Sequence, residues 1–270
     1  MTAIDELFAR TRAENRAALV GYLPAGFPTK EQSIRGIEAM VDGGVDLVEV
    51  GLPYSDPVMD GPVIQAAAAQ ALASGSRVSD VFDVVAASVA AGAPTVVMTY
   101  WNPIERYGVE RFATNLAAAG GSGLITPDLT PDEAAPWIAA SEKYDLDRVF
   151  LVAPSSTDER LAMTAEAASG FIYAAAVMGV TGAREQTSSL GPELVARLRK
   201  VTDKPVGVGI GVSNGAQARE VAEFADAVIV GSALVRCLLD APDESAGLEA
   251  IRALVRDLRA GVERPGFDRK

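Results

Sequence analysis

Apolar residues gather in short runs bounded by Gly, Pro, Asn or Asp, and eight such runs recur along the chain, at residues 18–22, 47–50, 95–99, 123–125, 148–152, 171–175, 206–208 and 227–230. Between them apolar positions fall at helical spacing. Ile34, Ile37 and Val41, for example, lead into Gly43-Gly44, the pattern of a helix closed by a C-terminal glycine. The runs are apolar on both faces, as expected of parallel strands covered by helices on one side and by side chains on the other. Eight strand–helix units predict an α/β fold, a (β/α)8 TIM barrel. Successive strand starts lie 29, 48, 28, 25, 23, 35 and 21 residues apart, and the longest gap holds two helical stretches, 63–74 and 78–91, one more than the repeat requires. An open doubly wound sheet is the rival. It would usually carry a Gly-rich dinucleotide turn after the first strand, and Gly21-Tyr22-Leu23-Pro24-Ala25-Gly26 does not supply one.

Two terminal pieces frame the repeat. Thr2 and Asp5 have the spacing of a capping box, and Ile4, Leu7 and Phe8 then form an apolar face suited to closing the bottom of a barrel, which predicts an extra N-terminal helix. A last helix is expected over 246–260, stopped by Gly261 and followed by a charged, mobile tail over 263–270. A barrel of this class commonly takes about 250 residues. The 270 residues, with no low-complexity linker, therefore read as one domain, 1–270.

Composition removes several chemistries. The chain has no His, which excludes Ser-His-Asp and Cys-His relays and almost every catalytic zinc site, so no metal is expected. Acid–base work falls to carboxylates, Tyr or Lys. With 24 basic and 36 acidic side chains the net charge is −12, and the densest basic cluster is Arg197-Leu198-Arg199-Lys200, which opposes a nucleic-acid partner. The single Cys237 makes no intramolecular disulfide and the charged N-terminus is no secretory signal, so the cytoplasm is the expected compartment. Residues 84–104 are uncharged over a membrane-spanning length, but Gly92-Ala93-Pro94 and Asn102-Pro103 divide them into helix tail, turn and buried strand. No membrane span is expected.

In such a barrel the site is built at the C-terminal ends of the strands. The second strand carries Glu49, on the same face as Leu47, and desolvation there would raise its pKa towards the range useful for proton transfer. A structural pairing of Glu49 with a neighbouring Lys or Arg is the plainer alternative. Asp56 and Asp60 follow in a loop restricted by Pro53, Pro57 and Pro62, where Asp also serves simply as a turn former. A raised Glu beside a wetter, ionised Asp would give two carboxylates with two roles.

Glycines mark the later strand ends: Gly179-Val180-Thr181-Gly182, Gly209-Ile210-Gly211-Val212-Ser213 and Gly231-Ser232-Ala233. Backbone N–H groups after strands seven and eight, with Ser213 and Ser232 hydroxyls, would bind a phosphate without a cation. Residues 176–191 read as a lid or, alternatively, as an ordinary surface loop. Tyr22, Tyr100 and Tyr173 stand at strand ends where they would line a pocket, while Trp101 should face the other way.

The run from Val48-Glu49-Val50-Gly51-Leu52-Pro53-Tyr54-Ser55-Asp56 through Pro57-Val58-Met59-Asp60-Gly61-Pro62, with the three glycine motifs in order and spacing, resembles the signature of the tryptophan synthase alpha subunit over essentially the whole chain. The resemblance implies a lyase that cleaves indole-3-glycerol phosphate into indole and glyceraldehyde 3-phosphate by a retro-aldol reaction, in tryptophan biosynthesis. It implies Glu49 as the acid–base and Asp60 as the carboxylate that accepts the indole N–H. It further implies a phosphate held by Gly182, Gly211, Gly231 and Ser232, an indole and glycerol site bordered by Tyr22, Tyr100 and Tyr173, and a lid closed by Thr181. The implied partner is a beta subunit, in an alpha2–beta2 heterotetramer, that carries pyridoxal phosphate (PLP) and receives the indole; this chain itself would hold no cofactor. The loops over 53–60 and 102–108 match the family's contact region. Met59, where the family usually has a small residue, and Ile210, where many members have Phe, depart from the pattern and would alter ligand affinity. A stand-alone indole-releasing lyase, another phosphosugar barrel such as an isomerase, and a catalytically silent activator of a beta subunit are the competing readings.

Overall fold

The computed structural model describes residues 1–176 and 190–263. Eight parallel strands, β1 (Ala18–Pro24), β2 (Leu47–Gly51), β3 (Thr95–Met98), β4 (Gly123–Thr126), β5 (Asp147–Val152), β6 (Ile172–Ala175), β7 (Val206–Gly209) and β8 (Ala227–Val230), pair in sequence order, and β8 returns to β1 to close the barrel. All eight coincide with the expected runs to within two residues.

Alternate residues of each strand face opposite ways. The barrel interior is therefore filled by Ala18 and Val20, Leu47, Val96, Ile125, Val149, and Ala227 and Ile229, inward residues of six of the strands, together with Phe171 just before β6. Helix α1 (Ala3–Ala13) plugs the bottom of this interior with Ile4, Leu7 and Phe8, and the Phe8 and Phe171 rings lie 5.9 Å apart. Its expected capping box is present: Thr2 Oγ1 accepts the Asp5 N–H, and the Asp5 carboxylate accepts the Thr2 N–H. The outward residues, Leu19, Val48, Val50, Val97, Leu124, Phe150 and their equivalents, pack beneath the helices in a second apolar layer.

Two helices lie between β2 and β3, as the long gap predicts: α3 (Pro62–Ala73), which starts on Gly61 and Pro62, and α4 (Asp80–Ala90). Before them, α2 (Lys30–Gly43) ends at Gly44 in the left-handed region (φ 110°). The connection from β3 to β4 also holds two helices, α5 (Trp101–Tyr107) and α6 (Val109–Ala118). Residues 102–107, expected as a loop, are therefore helical, and Gly108, at φ 98°, separates the two helices. Then follow α7 (Ala135–Lys143), α8 (Asp158–Ala167), α9 (Leu190–Leu198), α10 (Gly215–Ala222), α11 (Ser232–Leu239) and α12 (Glu244–Val262). Gly261 does not stop the last helix. It lies within α12 because a Cβ there would strike the backbone of Gly215, so this glycine serves the close packing of α12 on α10.

At the bottom of the barrel Asp46 ties the ring shut. Its carboxylate accepts both Arg16 guanidinium nitrogens at 2.7 and 2.8 Å, the Leu19 N–H at 2.9 Å and Arg259 at 2.9 Å, which joins the starts of β1 and β2 to α12. Both Arg16 and Asp46 are buried. Among the described residues no helix is long and apolar enough to cross a membrane, and no cluster of three metal-ligating side chains occurs.

Candidate active site

Glu49 has the inward parity of Leu47 and stands above it, at the level where the apolar filling of the barrel gives way to a cavity of about 250 Å³ at the C-terminal ends of the strands. The carboxyl is 1% exposed and its Oε2 has no hydrogen-bond partner among the described residues. Burial, and secondarily the Asp60 charge, push its pKa up to about 8, so it is mostly a neutral acid at pH 7. Among the described residues no ion pair to Lys or Arg offsets that burial, which argues against the structural pairing that the sequence left open.

Asp60 lines the same cavity from the loop between β2 and α3. Burial raises its pKa as well, and the hydrogen bond from Tyr100 opposes the rise. The Tyr100 hydroxyl donates to Asp60 Oδ1 at 3.0 Å and accepts the Met59 N–H at 2.9 Å, so one phenol fixes both the carboxylate and the backbone beside it. Further bonds link this loop to its neighbours. Asn102 Nδ2 donates to the Tyr54 hydroxyl at 3.0 Å, the Tyr54 and Tyr100 rings lie 5.4 Å apart, and the Trp101 N–H at the start of α5 donates to the Asp128 carboxylate beyond β4. Asp56 does not line the cavity: it is exposed, and its carboxylate accepts the Ser55 hydroxyl.

Tyr22, Tyr173, Gly211, Gly231 and Ser232 line the cavity together with Glu49 and Asp60. Tyr22 is the register partner of Glu49 across the β1–β2 ladder. Each phenol leans over a glycine on a neighbouring strand. A Cβ at Gly51 would fall on the Tyr22 hydroxyl, and one at Gly209 on the Tyr173 hydroxyl. Burial, and then the carboxylate charges, raise the pKa of both phenols, which keeps them protonated as donors. Beside the two phenols, Gly211 has φ 80° with nothing within 4 Å of an added Cβ, and Gly231 leads into the N-terminus of α11. Ser213 is turned away from a ligand role: its N–H and hydroxyl are both taken up by Gln217 Oε1.

Thr181 and Gly182, the stretch read as a lid apart from its ends, and the tail beyond residue 263 lie outside the described residues. Three apolar side chains that the sequence reading passed over, Ile64, Met98 and Ile229, also line the cavity. Parity would have found two of them, since Met98 and Ile229 each follow an inward residue by two. Ile210 packs on the outer core instead of lining the cavity, whereas Met59 lines its mouth and is 53% exposed.

This arrangement has known counterparts. The family model described as tryptophan synthase alpha chain matches residues 8–263. Proteins named tryptophan synthase alpha chain from Salinispora arenicola and Acidothermus cellulolyticus are 63% and 61% identical, over 98% of this chain and 99% and 98% of theirs. A Mycobacterium tuberculosis tryptophan synthase structure aligns with TM-score 0.90 at 56% identity, covering 97% of this chain and 99% of that one. The alpha subunit from Legionella pneumophila still gives TM-score 0.86 at 33% identity, with 97% and 98% covered. The barrel, the order of its motifs and the two carboxylates in one cavity have a single common account: the chain belongs to the tryptophan synthase alpha chain family.

Proposed function

We propose that the cavity cleaves indole-3-glycerol phosphate into indole and glyceraldehyde 3-phosphate, with Glu49 as the proton shuttle and Asp60 as the carboxylate facing the indole N–H. The supporting observation is the asymmetry of the two acids. Glu49 is fully buried and carries its proton up to about pH 8, whereas Asp60 is only partly buried and accepts a hydrogen bond.

The neutral Glu49 gives its proton to indole C3, which places positive charge on the ring nitrogen. Asp60, ionised, accepts the N–H and stabilises that charge in a partly dehydrated setting. Glu49, now a carboxylate, takes the proton of the hydroxyl on the carbon attached to C3. The C3–carbon bond breaks, its electrons restore the aromatic ring, and the oxygen left behind becomes the aldehyde. Glu49 ends protonated as it began, so the cycle balances. The protonated indole is itself the electron sink. PLP therefore belongs to the beta partner in this reading, and no step here requires it.

The phosphate is assigned to the backbone of Gly211, Gly231 and Ser232, where the N-terminus of α11 favours an anion, with Gly182 completing the set. The apolar walls of Ile64, Met98 and Ile229 suit the indole plane. The beta subunit is placed against the exposed loop of Tyr54, Val58 and Met59 and against α5, in an alpha2–beta2 assembly in the cytoplasm. Val58 and Met59 are among the few large apolar side chains that stand in solvent, at 77% and 53% exposure.

The test is indole release from indole-3-glycerol phosphate, with and without an added beta subunit. Wild type should release indole and accelerate with the partner, and Glu49→Gln should abolish release while still binding a phosphate ligand. Full speed without a partner would favour a stand-alone lyase. Unchanged turnover in Glu49→Gln would refute the assignment, and a wild type inert with any partner would leave only an activator.

A further inference from the structure

Tyr22 and Glu49 occupy one rung of the β1–β2 ladder and both face the cavity. The phenol does not lie level with the carboxyl. It reaches across to Gly51, two residues beyond Glu49 on the same inward face of β2, and the glycine is what makes room for it. The flank of the ring borders Gly231, where a Cβ would sit 3.5 Å from Tyr22 Cδ1. Tyr22 thus runs from the phosphate cradle, along the cavity floor, to a hydroxyl poised above Glu49. That hydroxyl makes no hydrogen bond with any described residue, and neither does Glu49 Oε2 below it. The charges of both carboxylates act on the phenol, as expected of a group between them. Two polar groups without partners among the described residues, lining the same cavity, are a demand for a polar ligand atom.

Resting on the retro-aldol reading above, we infer that the Tyr22 hydroxyl donates a hydrogen bond to the substrate oxygen that Glu49 deprotonates, the oxygen that becomes the aldehyde of glyceraldehyde 3-phosphate. Glu49 exchanges protons with two substrate atoms, a ring carbon and this oxygen, and only the oxygen can accept a hydrogen bond. As Glu49 removes the proton the oxygen gains negative charge, and a donor already in place stabilises that charge without reorganisation. Tyr22 keeps its own proton throughout, which its raised pKa favours. In the reverse direction the same bond polarises the aldehyde for attack by indole. Tyr173 is not equivalent, because its hydroxyl lies over Gly209 on β7.

Tyr22→Phe removes one oxygen and keeps the ring, so the floor and the packing over Gly51 remain. The full-length chain is assayed for cleavage of indole-3-glycerol phosphate and for binding of an indole-propyl phosphate that lacks both chain hydroxyls. Loss of a hydrogen bond to an oxygen that gains charge should lower kcat by about tenfold to a hundredfold with little change in KM. Binding of the hydroxyl-free analogue should stay within about twofold, and condensation of indole with glyceraldehyde 3-phosphate should fall with the forward rate. A kcat close to that of wild type, or equal weakening of the hydroxyl-free analogue, would overturn the proposal and leave Tyr22 as a wall. Failure of the wild-type chain to cleave the substrate, or full activity in Glu49→Gln, would instead overturn the reading on which it rests.

Discussion

Replacing Glu49 by Gln should stabilise the protein at alkaline pH while destroying its activity. The carboxyl has an ordinary pKa of 4.5 when unfolded and about 8 when folded, because folding strips it of water. The folded chain therefore holds a proton that the unfolded chain has lost, and stability falls as pH rises from 4.5 to about 8, then levels off. At about 1.4 kcal/mol per unit, the cost of Glu49 is about 1 kcal/mol at pH 5.5 and has grown by about 3 kcal/mol at pH 9, close to its plateau. Gln is nearly isosteric and carries no such cost. The stability gap between variant and wild type should thus widen by about 3 kcal/mol between the two pH values, or about 6 to 12 °C in Tm for a chain of this size. Thermal unfolding of both proteins at pH 5.5 and 9 measures the gap directly, and other titrating groups cancel between them. Parallel pH dependences would mean that Glu49 titrates normally in the folded state, and its role as the resting acid would go with it.

Tyr100→Phe removes the acceptor of the Met59 N–H and the donor that holds the Asp60 pKa down; kcat/KM should fall about tenfold and the acid limb of its pH profile should move to higher pH. A limb that stays in place would show that Tyr100 does not tune Asp60. Gly231→Val should weaken binding of glycerol 3-phosphate at least tenfold by blocking close approach of the backbone, measured by calorimetry; unchanged affinity would place the phosphate elsewhere. Asp46→Ala leaves the buried Arg16 with, among the described residues, only the half-exposed Glu14 as an ion-pair partner, and urea titration should show a loss of about 3–5 kcal/mol. Turnover of the folded variant should be normal, because Asp46 lies at the opposite end of the barrel from Asp60.

The barrel was legible because its strands are apolar on both faces and its turns are punctuated by Gly and Pro, signals that survive without tertiary information. Glu49 was legible for the same reason: parity along four residues put a carboxylate among inward aliphatics. Other features depend on contacts that periodicity does not encode. The break at Gly108 requires knowledge of its φ, and Gly261 looks like a helix stop until α10 is seen pressing on it. Ser213 resembled a phosphate donor because its position was right, but Gln217, four residues on, captures its hydroxyl. Tyr100 was chosen as a pocket aromatic, whereas its larger part is to brace the loop that carries Asp60.

The glycines beneath the two phenols bear on how this pocket can be reshaped. Residues 22 and 51 share one volume, as do 173 and 209, because in each pair the ring occupies the space that a Cβ on its partner would need. A substitution at either glycine alone would evict a tyrosine from its seat, and a smaller residue in place of either tyrosine alone would open a void over bare backbone. Adapting the cavity to a bulkier indole or a shorter chain is therefore a matter of paired changes on adjacent strands, and a search by single substitutions would meet a barrier at both pairs.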